Sequence, residues 1–208
     1  MSTKAKILAG IVAVLFLALV VWTVQTIPQG TEQTQNEAAK RVMTYDGNTI
    51  SEEKDGHKIW ELTAEHIEMD LDTKSATLTG VTGHFYAADG RVVDVQAAKG
   101  HYDAESRDVT IEDGLAITTS DGASLKSEQL LWTSATETLT AQGDAYVARD
   151  DMQAQGASIA STNGFKQFTI EGPLYITKGD MQATGDHLAT NEDGTRFTLT
   201  GHAHIQKE

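Results

Sequence analysis

The 208-residue chain contains no cysteine. That rules out a disulfide framework and lipoprotein processing, and it leaves both oxidising and reducing compartments open. Basic residues are scarce: 16 Lys and Arg stand against 30 Asp and Glu, for a formal charge of −14. With no basic stripe interleaved with aromatics, nucleic acid is excluded as a partner. The acidity reads as a solvated surface that favours solubility.

Catalytic constellations are lacking as well. The seven histidines, His57, His66, His84, His101, His187, His202 and His204, are scattered along the chain. Only His202-x-His204 shares a strand face, and it needs a third ligand to hold a metal; two outward histidines are more often plain surface residues. There is no Gly-x-Ser-x-Gly elbow and no Walker-type glycine loop. The paired carboxylates Asp70/Asp72 and Asp150/Asp151 fall at turns, where solvent or backbone satisfies them. Polysaccharide lyases and hydrolases built on β-helices line a groove with clustered carboxylates and aromatics, a pattern not visible here. The expectation is a protein that is not an enzyme, with no cofactor and no metal.

What the chain does contain begins with one apolar run, Ile7 to Trp22, interrupted only by Gly10 and extended by Val24 and Ile27. At the helical rise it reaches roughly 30 Å, enough to cross a hydrocarbon core. Lys4 and Lys6 precede it and no Lys or Arg follows until Lys40, so the N-terminus is expected to stay cytoplasmic and the rest to be exported. A cleaved signal peptide is the rival reading, against which stand the length of the run and the Thr23-Val24-Gln25-Thr26 exit without an Ala-x-Ala site. The expected organisation is a cytoplasmic start and transmembrane anchor over 1–27, a polar linker over 28–41 and a folded domain over 42–208.

Within that domain a pattern recurs five times. The opening half reads large apolar, small at +2 and large apolar at +7: Leu62/Ala64/Met69, Val95/Ala97/Tyr102, Leu125/Ser127/Trp132, Met152/Ala154/Ile159 and Met181/Ala183/Leu188. The closing half reads Ala76-Thr77-Leu78, Val109-Thr110-Ile111, Leu139-Thr140-Ala141, Phe168-Thr169-Ile170 and Phe197-Thr198-Leu199, followed at +4 by Gly80, Asp113, Gly143, Gly172 and Gly201. A period near 30 residues marks units that bury their apolar face only by stacking on neighbours.

Parity identifies the unit. In the closing half the apolar positions 0, +2, +6 and +8 share one strand face, so the central Thr points the other way. In the opening half +7 has odd parity, so a bend must return the chain to the same face. Gly100, Gly156 and Gly185 lie where such a bend is expected. Asp55-Gly56 separates two strand-like runs, 49–53 and 58–64, as a hairpin does. Asp89-Gly90, Asp121-Gly122, Thr162-Asn163-Gly164 and Asp193-Gly194 punctuate the later units. Helix signals are nearly absent after residue 42, which predicts an all-β domain of ten or more strands.

Two architectures suit such units: a parallel β-helix, or an open roll whose strands pair antiparallel across two facing sheets. The short turns favour the roll. Either leaves terminal edges unpaired. The strand expected over Thr198 to Ile205 ends near the C-terminus with no cap after it, and is either an aggregation hazard or a docking strand. The small residues Ala64, Ala97, Ser127, Ala154 and Ala183 would stack into a column if the units keep register, leaving a lengthwise gap or simply letting the sheets lie close.

Gly56, Trp60, Leu62 and Ala64, then Gly100-x-Tyr102-Asp103, then Asp121-Gly122-x-x-Leu125-x-Ser127-x-x-Leu130-x-Trp132 follow an N-terminal anchor in an order that resembles the LptC family of lipopolysaccharide-export bridge components. The resemblance covers the whole chain. Two departures are Pro173 inside the fourth closing strand and His84 at +8 in the first unit. The resemblance implies an open β-jellyroll whose two sheets form a slot for lipid acyl chains. It further implies an inner-membrane ABC transporter at the N-terminal edge, a soluble periplasmic bridge protein of like fold at the C-terminal edge, and a single-pass inner-membrane protein with its domain in the periplasm. Net direction then comes from ATP hydrolysis in the transporter. On this reading Leu139, Phe168, Ile170 and Phe197 line the slot and Ala97, Ser127 and Ala154 form its floor. Thr198, Thr200, His202 and His204 are the partner edge. The alternative from the repeat alone is a membrane-anchored scaffold that self-associates through its sheet edges.

Overall fold

The structure, a computed structural model, describes residues 41–162, 164–190 and 196–207. The expected anchor, all of the linker except residue 41, and the Asp193-Gly194 turn lie outside the described residues. Fourteen strands follow in order: β1 (Val42–Lys54), β2 (His57–Asp70), β3 (Ala76–Tyr86), β4 (Val92–Tyr102), β5 (Val109–Glu112), β6 (Ala116–Thr119), β7 (Ser124–Lys126), β8 (Gln129–Thr133), β9 (Thr138–Arg149), β10 (Met152–Thr162), β11 (Gln167–Lys178), β12 (Met181–Thr190), β13 (Phe197–Thr200) and β14 (His204–Lys207). The single helical element among the described residues is a 3₁₀ turn at Ser134–Thr136.

Alternation explains why these segments are strands. In β3, Ala76, Leu78 and Val81 are buried while Thr77, Thr79 and Thr82 are exposed. In β5, Val109 and Ile111 are fully buried on either side of Thr110. The threonines of the repeat therefore face outward, as their parity requires. Tight turns set the direction. Asp55 and Gly56 both adopt positive φ (51° and 77°) and join Lys54 to its ladder partner His57, a two-residue turn of the type that matches strand twist. Neighbours pair antiparallel throughout, in the order β1-β2-β3-β4-β5-β8-β9-β10-β11-β12-β13. A parallel β-helix is thereby excluded.

The two facing layers are halves of one continuous ladder. β4 pairs through Val93–Gln96 with β6 and through Lys99–Tyr102 with β5; β9 and β12 are shared in the same way with β7 and β8, and with β14 and β13. Each long strand thus crosses from one layer to the other, and the crossings line up as a seam. The ladder joins Ala64 to Val81 and His66 to Thr79, passing over Glu65 and Gly80. It joins Val81 to Ala97 and Thr79 to Lys99, passing over Ala98. Farther on it passes over Ala157, Gly172-Pro173 and Asp186.

All five residues of the +4 position sit on this seam with left-handed backbone: Gly80 (63°), Asp113 (63°), Gly143 (78°), Gly172 (88°) and Gly201 (68°). The amides of Ala98, Glu128 and Asp186 donate across it to the carbonyls of Asp113, Gly143 and Gly201 at 2.7, 3.2 and 2.9 Å. Glycine is required by space as well as by φ, since a Cβ on Gly172 would lie 2.6 Å from that of Ala157. Gly172→Val is expected to cost about 3 kcal/mol, from left-handed strain plus overpacking. That lowers a thermal midpoint by roughly 10 °C in a domain of this size. Gly47→Val, with the same sign of φ but nothing within 4 Å, isolates the backbone part and should lose less than half as much.

Of the three glycines expected at the bend, Gly156 lies within the β10–β11 register shift between Gln155 and Ser158, whereas Gly100 and Gly185 keep their ladder partners. None has positive φ. They are buried on the inner face, and a Cβ on Gly156 or Gly185 would meet Ile170 Cγ2 at 2.4 Å or Leu199 Cδ1 at 2.6 Å. Their task is clearance for neighbouring side chains. The seam also accounts for the two departures in the repeat. β3 resets its face at Gly80, so Phe85 is buried and His84 points out; Pro173 falls where the ladder is already interrupted and no amide is needed.

On the outer surface, histidines meet carboxylates across strands: His66 with Asp46, His84 with Asp94, His187 with Glu171 and His202 with Asp186, at 2.6 to 2.8 Å. Such exposed pairs contribute little stability. The Tyr86 hydroxyl donates to Glu61 Oε1 at 2.5 Å, and that bond, with burial and the Glu61 charge, pushes the phenol up to about 12. A folded-state value raised above the unfolded one means that this contribution is complete below pH 10 and is lost as pH rises towards 12. Alkaline absorbance titration should show a late tyrosine that returns to the ordinary range in Glu61→Ala.

Candidate lipid-binding interior

Among the described residues the repeat's apolar side chains converge on the enclosed face between the two layers, which is uneven along its length. At the N-terminal end it is filled. Trp60, Leu62, Ile67, Leu78, Phe85 and Ile111 are fully buried. Trp60 on β2 meets Tyr102 on β4 at a ring-centre distance of 5.9 Å, and Phe85 on β3 meets Trp132 on β8 at 6.0 Å, both tilted. Burial pushes the Tyr102 hydroxyl above its ordinary pKa, and the charge of nearby Glu52 adds to this.

Glu52 was not singled out by sequence reasoning. Its carboxylate accepts from Trp60 Nε1 (2.9 Å), Trp132 Nε1 (3.3 Å) and Ser134 Oγ (3.0 Å), and Arg107 Nη1 lies 3.4 Å away. Nothing local in Ser51-Glu52-Glu53-Lys54 separates it from its neighbours. Its inward position on β1, in register with Trp60, emerges only from the strand pairing.

Towards the C-terminal end the cover thins. Leu139 and Ile170 are buried at 6% and 5% exposure, and Ala154, Ile159, Leu174 and Leu188 are also buried. Beyond them the ladder row of Leu139 runs through Ser161 and Phe168 to Phe197, which flanks Thr190, while Met181 and Ile205 lie at the other end of β12; all four large residues are exposed, with Phe197 at 56% and Ile205 at 58%. Phe168 and Phe197, expected inside, therefore lie on the inner face by alternation but open to solvent, because few strands remain to face them.

The floor is not a column of small residues. Ala64 pairs with Val81 and Val81 with Ala97, so a large side chain stands between the two alanines. Ala154 pairs with Val147 and Ile176, and Val147 with Leu125, which puts Ala154 in the row of Leu125, one step away from Ser127. Ser127 is half-buried and donates to the Gln129 carbonyl. Aligning only opening halves omitted the strands that return between them.

The expected edge strand is two short strands. Thr198 and Thr200 lie in β13, His204 begins β14, and His202 sits between them at the seam with φ 46°, bonded to Asp186. His202 and His204 therefore do not share a strand face, and no metal-binding group occurs among the described residues. Among the described residues β13 and β14 pair only with β12, and β1 only with β2, leaving an unpaired side at each end.

An apolar interior, filled by aromatic side chains behind β1 and thinly covered towards the last strands, on an antiparallel roll is where sequence and geometry meet. The family profile described as lipopolysaccharide-assembly, LptC-related, matches residues 10–208. The chain belongs to the LptC family. Membership places it in lipopolysaccharide transport, among inner-membrane-anchored bridge proteins of the cell envelope and outside the known enzyme families. The LptC match spans every described strand, and the all-β antiparallel architecture agrees with a jellyroll. No curated protein matches the chain. Among the described residues no helix is long and apolar enough to cross a membrane.

Proposed function

We propose that this LptC-family chain accepts lipopolysaccharide from an inner-membrane ABC transporter at its β1 edge and passes it to a soluble periplasmic bridge protein of like fold at the β13/β14 edge. Ile7 to Trp22 serve as the single-pass anchor that holds the domain in the periplasm. The observation that carries the reading is the uncovered row of Phe168 and Phe197, which continues the row of buried Leu139 beside that of Ile170, with Met181 and Ile205 exposed at the other end of β12. Acyl chains lie against that row. Each buried methylene contributes roughly 0.8 kcal/mol, so a chain held there leaves slowly for water and readily for an equivalent groove on a neighbour. Thr198, Thr200 and His204 offer that neighbour an unpaired strand side. His202, turned out of the strands, is not part of the docking ladder.

The test is in-cell crosslinking with a photoreactive phenylalanine analogue at Phe168 and at Leu139, with outward Glu171 as control. Adducts with lipopolysaccharide at the first two positions and not at the third are expected. Adducts only between copies of this chain would instead support the self-associating scaffold.

A further inference from the structure

A carboxylate facing an apolar interior is costly unless its oxygens are fully engaged. Glu52, with 15% of its side chain exposed, is engaged on both oxygens by groups from both layers: Trp60 beside it, and Trp132, Ser134 and Arg107 opposite. The opposing side is itself braced, since the Ser134 amide donates to Asp108 at 2.8 Å. Lys54 pairs with Glu137 nearby, and Arg91 donates to the Phe165 carbonyl farther along. These contacts join the two layers at strand ends, away from the seam. The indoles they hold fill the interior between the β1 edge and the open C-terminal row.

Resting on the lipid-transport reading above, we propose that Glu52 is a latch. While its bonds are made, Trp60 and Trp132 plug the N-terminal half of the roll; their release lets the layers part and admits acyl chains from the β1 side. The acyl chain takes the volume the indoles leave, so passage along the roll is a two-position event and not free sliding.

The experiment uses the full chain in lipid nanodiscs with Trp22→Phe, so that emission comes from Trp60 and Trp132. The probe is lipopolysaccharide with nitroxide-labelled acyl chains, which quench indoles at short range. Slow quenching is expected in this background. Glu52→Gln, which keeps size and one acceptor oxygen but loses the charge, should quench roughly tenfold faster, the ratio expected when a charge-assisted hydrogen bond becomes a neutral one. Arg107→Ala, at a largely exposed side chain, should accelerate in the same direction by less, and serves if Glu52→Gln folds poorly. A separate Phe168→Trp reporter reads arrival in the open row. Quenching of that reporter with Trp60 and Trp132 untouched, or with rates unchanged in both variants, overturns the latch and leaves the transport reading standing. No quenching anywhere overturns both.

Discussion

Glu52→Ala is expected to lower the unfolding midpoint of the domain by roughly 10 °C. Its removal strands two indole N–H groups and a hydroxyl in a space largely screened from water. Each unsatisfied donor costs about 1–3 kcal/mol, and breaking a buried polar cluster on one side costs about 3–5 kcal/mol. For a domain of this length 1 kcal/mol corresponds to about 2–4 °C. The neighbouring Glu53→Ala, exposed on the same strand, should change the midpoint by no more than about 0.5 kcal/mol's worth. Thermal unfolding followed by β-sheet circular dichroism distinguishes the two. Equal midpoints would mean that water already reaches the Glu52 site and that the cluster contributes nothing.

Phe168→Asp combined with Phe197→Asp should do the converse, weakening lipid retention strongly while leaving the midpoint nearly unchanged. Both rings are exposed, so the fold gains little from them. In a lipid complex each would cover acyl chain, and burying a phenylalanine is worth about 1.5–3 kcal/mol. Even at the lower figure two rings correspond to roughly a hundredfold loss. Retention of lipopolysaccharide on the immobilised full chain, measured against unfolding midpoint, separates binding from stability. Retention within twofold of the parent chain would remove the open row from the transport path. The introduced carboxylates face into the groove, so the loss should exceed that of the double alanine variant.

The repeat, its all-β character and the outward threonines were legible because strand parity is written locally, two residues at a time. The face reset was legible too, since Leu62 and Met69, or Leu125 and Trp132, cannot share a straight strand. Of the glycines expected at the bend only Gly156 lies within a register shift, and the left-handed residues that mark the seam were not assigned that role. Gly100, Gly156 and Gly185 are glycines for clearance, whereas Gly80, Asp113, Gly143, Gly172 and Gly201 are required for backbone hand. One-letter identity does not separate those two reasons. Glu52 was invisible because its partners at Trp132 and Ser134 lie some 80 positions away, and only the folded roll brings them together. Phe168 and Phe197 read as core because apolar periodicity reports which face a residue occupies. It does not report whether anything stands opposite.

The seam carries a rule about length. Left-handed residues fall on alternate strands, and each faces a partner such as Glu65, Ala98, Glu128, Ala157 or Asp186 on the intervening strand. A lone strand inserted within the roll would set two crossings of the same kind side by side, whereas an outgoing and a returning strand together restore the sequence of crossings. Within the roll, strands can therefore be gained or lost only as pairs, about thirty residues at a time. For such a groove, a change of internal span by complete units keeps every crossing matched.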